Sequence, residues 1–106
     1  IYGDGLQTRS FQFIDDLVIG LIKMMNSDIV GPINLGNPVE LSMNDLAAKI
    51  INLTDSSSDI IYKKLPEGDP KRRRPDITLA NTKLNWKPKI DLENGLQKTI
   101  NYFAFN

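Results

Sequence analysis

The stretch Ile1-Tyr2-Gly3-Asp4-Gly5-Leu6-Gln7-Thr8-Arg9-Ser10-Phe11 decides how the rest of the chain is read, because it joins a tight-turn signal to polar side chains spaced like ligand contacts. Asp4-Gly5 is a strong turn dipeptide, since glycine takes positive φ without steric cost and Asp tolerates the neighbouring position. The chain is therefore expected to turn sharply after Tyr2, as in a β-hairpin. If the residues that follow are extended, Gln7, Arg9, Phe11 and Phe13 share one face and Thr8, Ser10 and Gln12 take the other. Residues two apart in a strand are separated by roughly 6.6 Å. Gln7 and Arg9 would then reach different parts of one anionic ligand while Phe11 and Phe13 enter a core. A hairpin with an idle, exposed Arg fits the same residues, and so short a pattern does not choose between the two.

The remaining 95 residues limit the choice. A chain of 106 residues is one domain at most and long enough to bury a core without disulfides or metals. With 41 % hydrophobic and 25 % charged residues, it has the composition of a globular protein and not of a disordered or fibrous one. Thirteen basic residues balance thirteen acidic ones, which argues against a nucleic-acid or acidic-membrane partner. There is no Cys and no His, so disulfides, thiol nucleophiles, Ser-His catalysis and the usual zinc ligands are all excluded. No metal site is expected, and any chemistry must use Tyr, Lys, Arg or carboxylates. The longest apolar run, Leu17 to Ile22, is far short of the about 20 residues that span a bilayer, and the chain opens without the charged and apolar regions of a signal peptide. A cysteine-free, unsigned chain fits a reducing cytoplasm. It begins with Ile in mid-pattern, as a piece of a longer protein would.

Downstream, Ile14, Leu17, Val18, Leu21, Ile22 and Met25 recur at three- and four-residue spacing, which predicts an amphipathic helix capped by Asp15 or Asp16 and stopped at Asn26-Ser27-Asp28. Gly20 inside it costs about 1 kcal/mol relative to Ala, so it is expected to permit close packing. Ile33-Asn34-Leu35-Gly36 reads as a short strand. Ser42 reads as an N-cap, with Asp45 completing an imperfect capping box, for a helix from Met43 to about Leu53 that buries Leu46, Ala47, Ile50 and Ile51. Asp59 to Lys64 reads as another strand, giving a βαβ unit if the two strands are parallel. A short helix starts at Asp76-Ile77-Thr78 and closes at Asn85 in the left-handed conformation. Trp86 is expected in the core. Asp91 caps a last helix with Leu92, Leu96, Ile100 and Phe103 along one side.

Between these elements, Glu67 to Pro75 forms a loop holding Lys71-Arg72-Arg73-Arg74, the only dense charge in the chain. Taken alone it is a solvated basic run. Across the chain, however, nine Lys are scattered while the four Arg stand only at 9 and at 72 to 74. The planar guanidinium binds phosphate bidentately where Lys acts as a point charge. Two separate Arg sites therefore suggest a diphosphate clamp.

With both Arg sites in view, four blocks in order resemble the extended short-chain dehydrogenase/reductases, the NAD-dependent nucleotide-sugar epimerase/dehydratase family. The first block is Tyr2-Gly3-Asp4-Gly5, Gln7-Thr8-Arg9-Ser10-Phe11 and Asp16-Leu17-Val18 with Gly20-Leu21, and the second is Asn34-Leu35-Gly36-Asn37-Pro38. The third is Asp69-Pro70 with Arg73 and Pro75-Asp76-Ile77, and the fourth is Leu84, Trp86 and Pro88 with Gly95-Leu96. The Gln-Thr-Arg-Ser-Phe wording favours the UDP-glucuronate-decarboxylating branch over the dehydratases, which usually carry Arg-Asp-Trp there. Two departures are small: Asn85 stands where Gly is usual, and Gly68 replaces an Asp.

The resemblance implies an α/β fold of short strands and about four helices, with residues 1–106 forming the C-terminal sugar-nucleotide-binding subdomain beside a dinucleotide-binding half. It implies that Arg9 contacts the diphosphate or the sugar carboxylate with a part in catalysis, that Tyr2 and Gln7 line the nucleotide pocket, and that Arg73 is the second diphosphate arm. Arg72 and Arg74 fall outside the family's arginine position and are left as surface or auxiliary residues. In the family, bound NAD oxidises C4 of UDP-glucuronate, the 4-keto acid loses CO2, and reduction gives UDP-xylose. The enzymes are homodimers whose base is the Tyr of a Tyr-x-x-x-Lys motif. Here the residues four after Tyr2, Tyr62 and Tyr102 are Leu6, Pro66 and Asn106, and no Gly-rich phosphate loop is present. The chain is thus expected to hold a UDP-sugar, to bind no cofactor and to be inactive alone. Another epimerase or dehydratase of the family, or a non-catalytic nucleotide-binding or interaction module, fits the same residues.

Overall fold

The computed structural model describes residues 1–105, and among them no helix is long and apolar enough to cross a membrane. In chain order the elements are β1 (Thr8–Arg9), α1 (Ile14–Met25), β2 (Leu41–Ser42), α2 (Met43–Thr54), α3 (Thr78–Leu84) and α4 (Leu92–Phe105). They gather into two compact units. One holds Ile1–Arg9 and Glu40–Arg73, the other Ser10–Val39 and the residues from Arg74 on.

In the first unit the Asp4-Gly5 turn forms, but no hairpin follows from it. β1 pairs antiparallel with β2, Thr8 opposite Ser42 and Arg9 opposite Leu41. Before the turn, Tyr2 makes a parallel bridge with Lys63: the Lys63 N–H donates to the Ile1 carbonyl at 2.7 Å and the Gly3 N–H to the Lys63 carbonyl at 2.6 Å. The strand expected over 59–64 is reduced to that bridge, and the expected βαβ unit is not built among the described residues, because neither 33–36 nor 59–64 forms a strand. α2 starts where its cap demands, with the Ser42 hydroxyl accepting from the Asp45 N–H at 3.1 Å. Leu46, Ala47 and Ile51 are half-buried, while Ile50 is exposed, contrary to expectation.

The second unit is built around Trp86, 2 % exposed, which packs with Ile77, Ala80 and Leu84; Met24, Ile29, Ile33 and Leu35 close around them. α3 ends as its sequence predicts, with Asn85 left-handed at φ 51° and the Trp86 N–H reaching back to the Ala80 carbonyl at 3.1 Å. The Lys23 ammonium donates to the Asn85 carbonyl at 2.9 Å. Ile33 to Gly36 has no ladder partner among the described residues. The Leu35 carbonyl accepts instead from the Gln12 side chain at 3.0 Å, so side-chain bonds replace the sheet expected there.

α1 runs over the predicted span but is oriented otherwise. Neither Asp15 nor Asp16 caps it: the N-cap is Phe13, in extended conformation and with no side-chain bond. Asp16, 3 % exposed, turns inward, where its carboxylate accepts from the Ile90 N–H at 3.0 Å and its carbonyl from the Trp86 indole at 2.9 Å. Gly20 is where the helix approaches its neighbours, since a Cβ there would stand 2.9 Å from Leu35 Cδ1 and 3.1 Å from Trp86 Nε1. With Asp16 and Gly20 facing in, Ile14, Val18, Leu21, Ile22 and Met25 of the apolar stripe face out. Phe11 is also exposed, because β1 ends at Arg9 and the alternation that would have buried it stops there; Phe13 is half-buried against Gly95. Asp91 caps α4 through the Asn94 N–H at 2.8 Å. Leu92, Leu96 and Ile100 are half-buried, but Phe103 is exposed and meets Tyr102 edge to face.

Two tests follow from this unit. Asp16→Ala strands the Ile90 N–H, which costs about 1–3 kcal/mol, whereas Asp16→Asn keeps an acceptor and costs less. Amide exchange at Ile90 is expected to accelerate strongly in the first variant and little in the second, and equal exchange in wild type and Asp16→Ala would show that the bond carries no weight. At the start of α3, Asp76 accepts from the Thr78 hydroxyl at 2.6 Å and from its N–H at 2.9 Å. These bonds, with the nearby charge of Arg74, hold its carboxyl below the ordinary 3.8. A lowered folded-state pKa means that the contribution is full above 3.8 and is lost as pH falls below it. The Asp76 carboxyl resonance should titrate below that value, and Thr78→Ala should move it back up.

Candidate functional site

All four residues singled out as ligand contacts, Tyr2, Gln7, Arg9 and Arg73, lie in the first unit. Their positions are set by how the glycine turn meets α2. The first N–H groups of any helix lack partners within it. Here the Met43 N–H donates to the Gln7 carbonyl at 3.1 Å, the Asn44 N–H to the Gly5 carbonyl at 3.0 Å, and Asp45 to its cap. The Asn44 side chain completes the join, donating to the Asp4 carbonyl at 3.0 Å and accepting from the Tyr62 hydroxyl at 2.9 Å. Gly5, at φ 77°, is buried against that amide, and a Cβ there would overlap it. The N–H groups at this helix N-terminus are thus satisfied from within the protein.

The Arg9 guanidinium is half-buried and held from two sides. Its Nη1 donates to the Thr8 carbonyl and its Nη2 to Asp69 Oδ1, both at 2.7 Å. A guanidinium has five N–H donors, so the other three have no partner among the described residues. The Thr8 N–H donates to the Lys71 carbonyl at 2.7 Å, fixing the residue two before Arg73 beside the neighbour of Arg9. The three arginines in the loop differ. Arg72 forks onto Glu40, at 2.8 Å from Nη2 and 3.3 Å from Nε, and that hydrogen bonding, then the carboxylate's charge, raises its pKa further. Arg74 lies by Asp76. Arg73 is exposed and makes no hydrogen bond or ion pair among the described residues. Tyr2 is exposed through its ring. Gln7 turns its amide nitrogen back to the Tyr2 carbonyl at 2.7 Å, which leaves its oxygen as the group able to meet a ligand.

Asp69, Glu40 and Asn44 escape a reading by spacing. Asp69-Pro70 stands out as a motif, but an ion pair spanning 60 residues leaves no periodic trace.

Comparison with known proteins shows which family the chain resembles over its length. A family model described as GDP-mannose 4,6 dehydratase matches residues 1–99. The chain is 49 % identical over 104 residues to UDP-glucuronic acid decarboxylase 1 of Danio rerio, covering 98 % of this chain and 25 % of that protein. It is 48 % identical over 103 residues to UDP-glucuronic acid decarboxylase 1 of Arabidopsis thaliana, covering 97 % and 24 %. It thus spans about a quarter of the length of these curated relatives. Among solved structures, that of UDP-glucuronic acid 4-epimerase from Bacillus cereus in complex with UDP-glucuronic acid and NAD superposes with a TM-score of 0.90 at 31 % identity, over 99 % of this chain and 34 % of that one.

Gly5 tests how the site is built. Gly5→Ala meets both a left-handed backbone and the Asn44 amide, and is expected to cost more than about 1 kcal/mol and to loosen Arg9 with the turn. Thermal unfolding measures the first effect. A variant as stable as wild type would show that the turn does not need its glycine.

Proposed function

Because the chain belongs to the GDP-mannose 4,6-dehydratase family, we propose that it is the UDP-sugar-binding part of an NAD-dependent UDP-glucuronate decarboxylase, which converts UDP-glucuronate to UDP-xylose and CO2. The observation that carries this reading is the identity to decarboxylases, 48 % over 97 % of the chain, against 31 % to the epimerase of similar fold. A 4-epimerase on the same scaffold is the competing outcome, and product analysis separates them: CO2 and a pentose nucleotide, or an epimeric hexuronate.

NAD supplies the reversible oxidation at C4 that turns the sugar acid into a β-keto acid. In this reading the chain does not cradle it. Leu65 packs beside Gly3 and Asn44 beside Gly5, which supports a closed structural turn and not the open glycine loop of a dinucleotide site. With neither that loop nor a Tyr-x-x-x-Lys, the 106 residues are proposed to be inactive alone and to serve as the binding wall of a longer, cytoplasmic homodimer.

In this proposal the chain's residues bind and orient. Arg9 offers its three unclaimed N–H groups to the ligand's diphosphate or carboxylate, exposed Arg73 is the second diphosphate arm, and Tyr2 and the Gln7 side-chain oxygen Oε1 line the nucleotide. Hydrogen bonds to charged groups contribute about 1.5–3 kcal/mol each, and 1.4 kcal/mol is tenfold in Kd. Arg9→Ala and Arg73→Ala are each expected to weaken UDP-glucuronate binding by about tenfold or more, and Arg9→Lys to recover little, because an ammonium cannot reproduce the fork. Arg72→Ala should change it by less than about threefold. Calorimetric titration of the full-length protein decides, and indifference to both Arg9→Ala and Arg73→Ala sinks the clamp.

A further inference from the structure

We infer that Asp69 is the positioning residue of Arg9, an inference that rests on reading Arg9 as the contact to the ligand's anionic groups. A carboxylate beside an anion-binding arginine weakens its attraction for the ligand, so its place here calls for a compensating role. The geometry supplies one. Thr8 takes one terminal nitrogen and Asp69 the other, both at 2.7 Å, so the plane of the guanidinium is set before any ligand arrives. The pair is partly sequestered, with the side chains 17 % and 33 % exposed. Asp69 is itself stiffened, because Pro70 restricts the residue before it to extended backbone. The Arg72–Glu40 ion pair is built differently: the Arg72 side chain is 74 % exposed, and among the described residues its guanidinium donates to Glu40 and to no backbone carbonyl. Asp69 thus gives up part of the net charge at Arg9 in return for a fork already aimed, and misplacing a positioned group by about 1 Å can cost as much as 100-fold in rate.

The test is a double-mutant cycle in the full-length enzyme, reading kcat and KM for UDP-glucuronate. Asp69→Ala is expected to lower kcat/KM by at least about tenfold and Asp69→Asn, which keeps an acceptor oxygen, by less. In an Arg9→Ala background neither change should lower it further. An equal loss with and without Arg9, or no loss in Asp69→Ala, overturns the inference while leaving the site reading intact. An Arg9→Ala variant with wild-type kcat/KM strikes the site reading itself. A purely structural role for Asp69 would not move the Arg9 guanidinium resonances selectively. Distinct Nη signals are expected in wild type, averaged by free rotation in Asp69→Ala and less so in Asp69→Asn, and signals unchanged in Asp69→Ala count against positioning. If Asp69→Ala fails to fold, Asp69→Asn carries the same cycle.

Discussion

The candidate site depends on one physical requirement: the N-terminus of a helix must find partners for N–H groups that the helix cannot satisfy itself. α2 takes two of those partners from the backbone of the glycine turn, through Gly5 and Gln7, and one from Ser42. The turn is thereby fastened to a rigid element, and Arg9, two residues beyond Gln7, inherits that rigidity. The same bonds occupy the helix end that would otherwise attract phosphate. The planar, forked donors of this unit are instead arginine side chains, where a Lys would be a point charge.

Acidic partners separate the four arginines. Asp69 holds Arg9, Glu40 holds Arg72 and Asp76 lies by Arg74, while Arg73 is without such a partner among the described residues. In a chain of zero net charge, specificity of this kind rests on which cation is left open and which is fixed, not on a broad field. It also explains why a basic tetrad need not mark a nucleic-acid surface: two of its members are already engaged within the protein.

Most local signals were legible in the sequence, the cap of α1 excepted, and long-range ones were not. The Ser42 cap, the Asn85 stop, the Asp91 cap, the close approach at Gly20 and the burial of Trp86 each depend on a residue's own conformational or hydrophobic preference, and each is found where expected. The strands over 33–36 and 59–64 failed because β-propensity describes a segment that fits a sheet and does not supply the sheet. Gln12 and the single bridge at Tyr2 took the place of ladder partners. The family blocks could be read, and the candidate site was proposed from residue types and their two clusters. The Arg9–Asp69 pair could not, since it joins positions 60 apart.

α1 shows where pattern and packing part. Its period predicted the helix correctly, but the face it buries within the unit carries Asp16 and Gly20, because the Ile90 N–H and the Trp86 indole need the acceptors that Asp16 provides. The apolar stripe is left outward, with Val18 43 % and Met25 82 % exposed. Apolar surface held in water forgoes about 25 cal/mol per Å2, and contiguous patches of this kind on soluble proteins mark contact surfaces. The stripe is therefore better explained by a second packing partner than by the unit it belongs to. That is what the proposed role as one wall of a longer enzyme requires: a helix fastened to its own unit by buried polar bonds, with its apolar face kept for the rest of the protein.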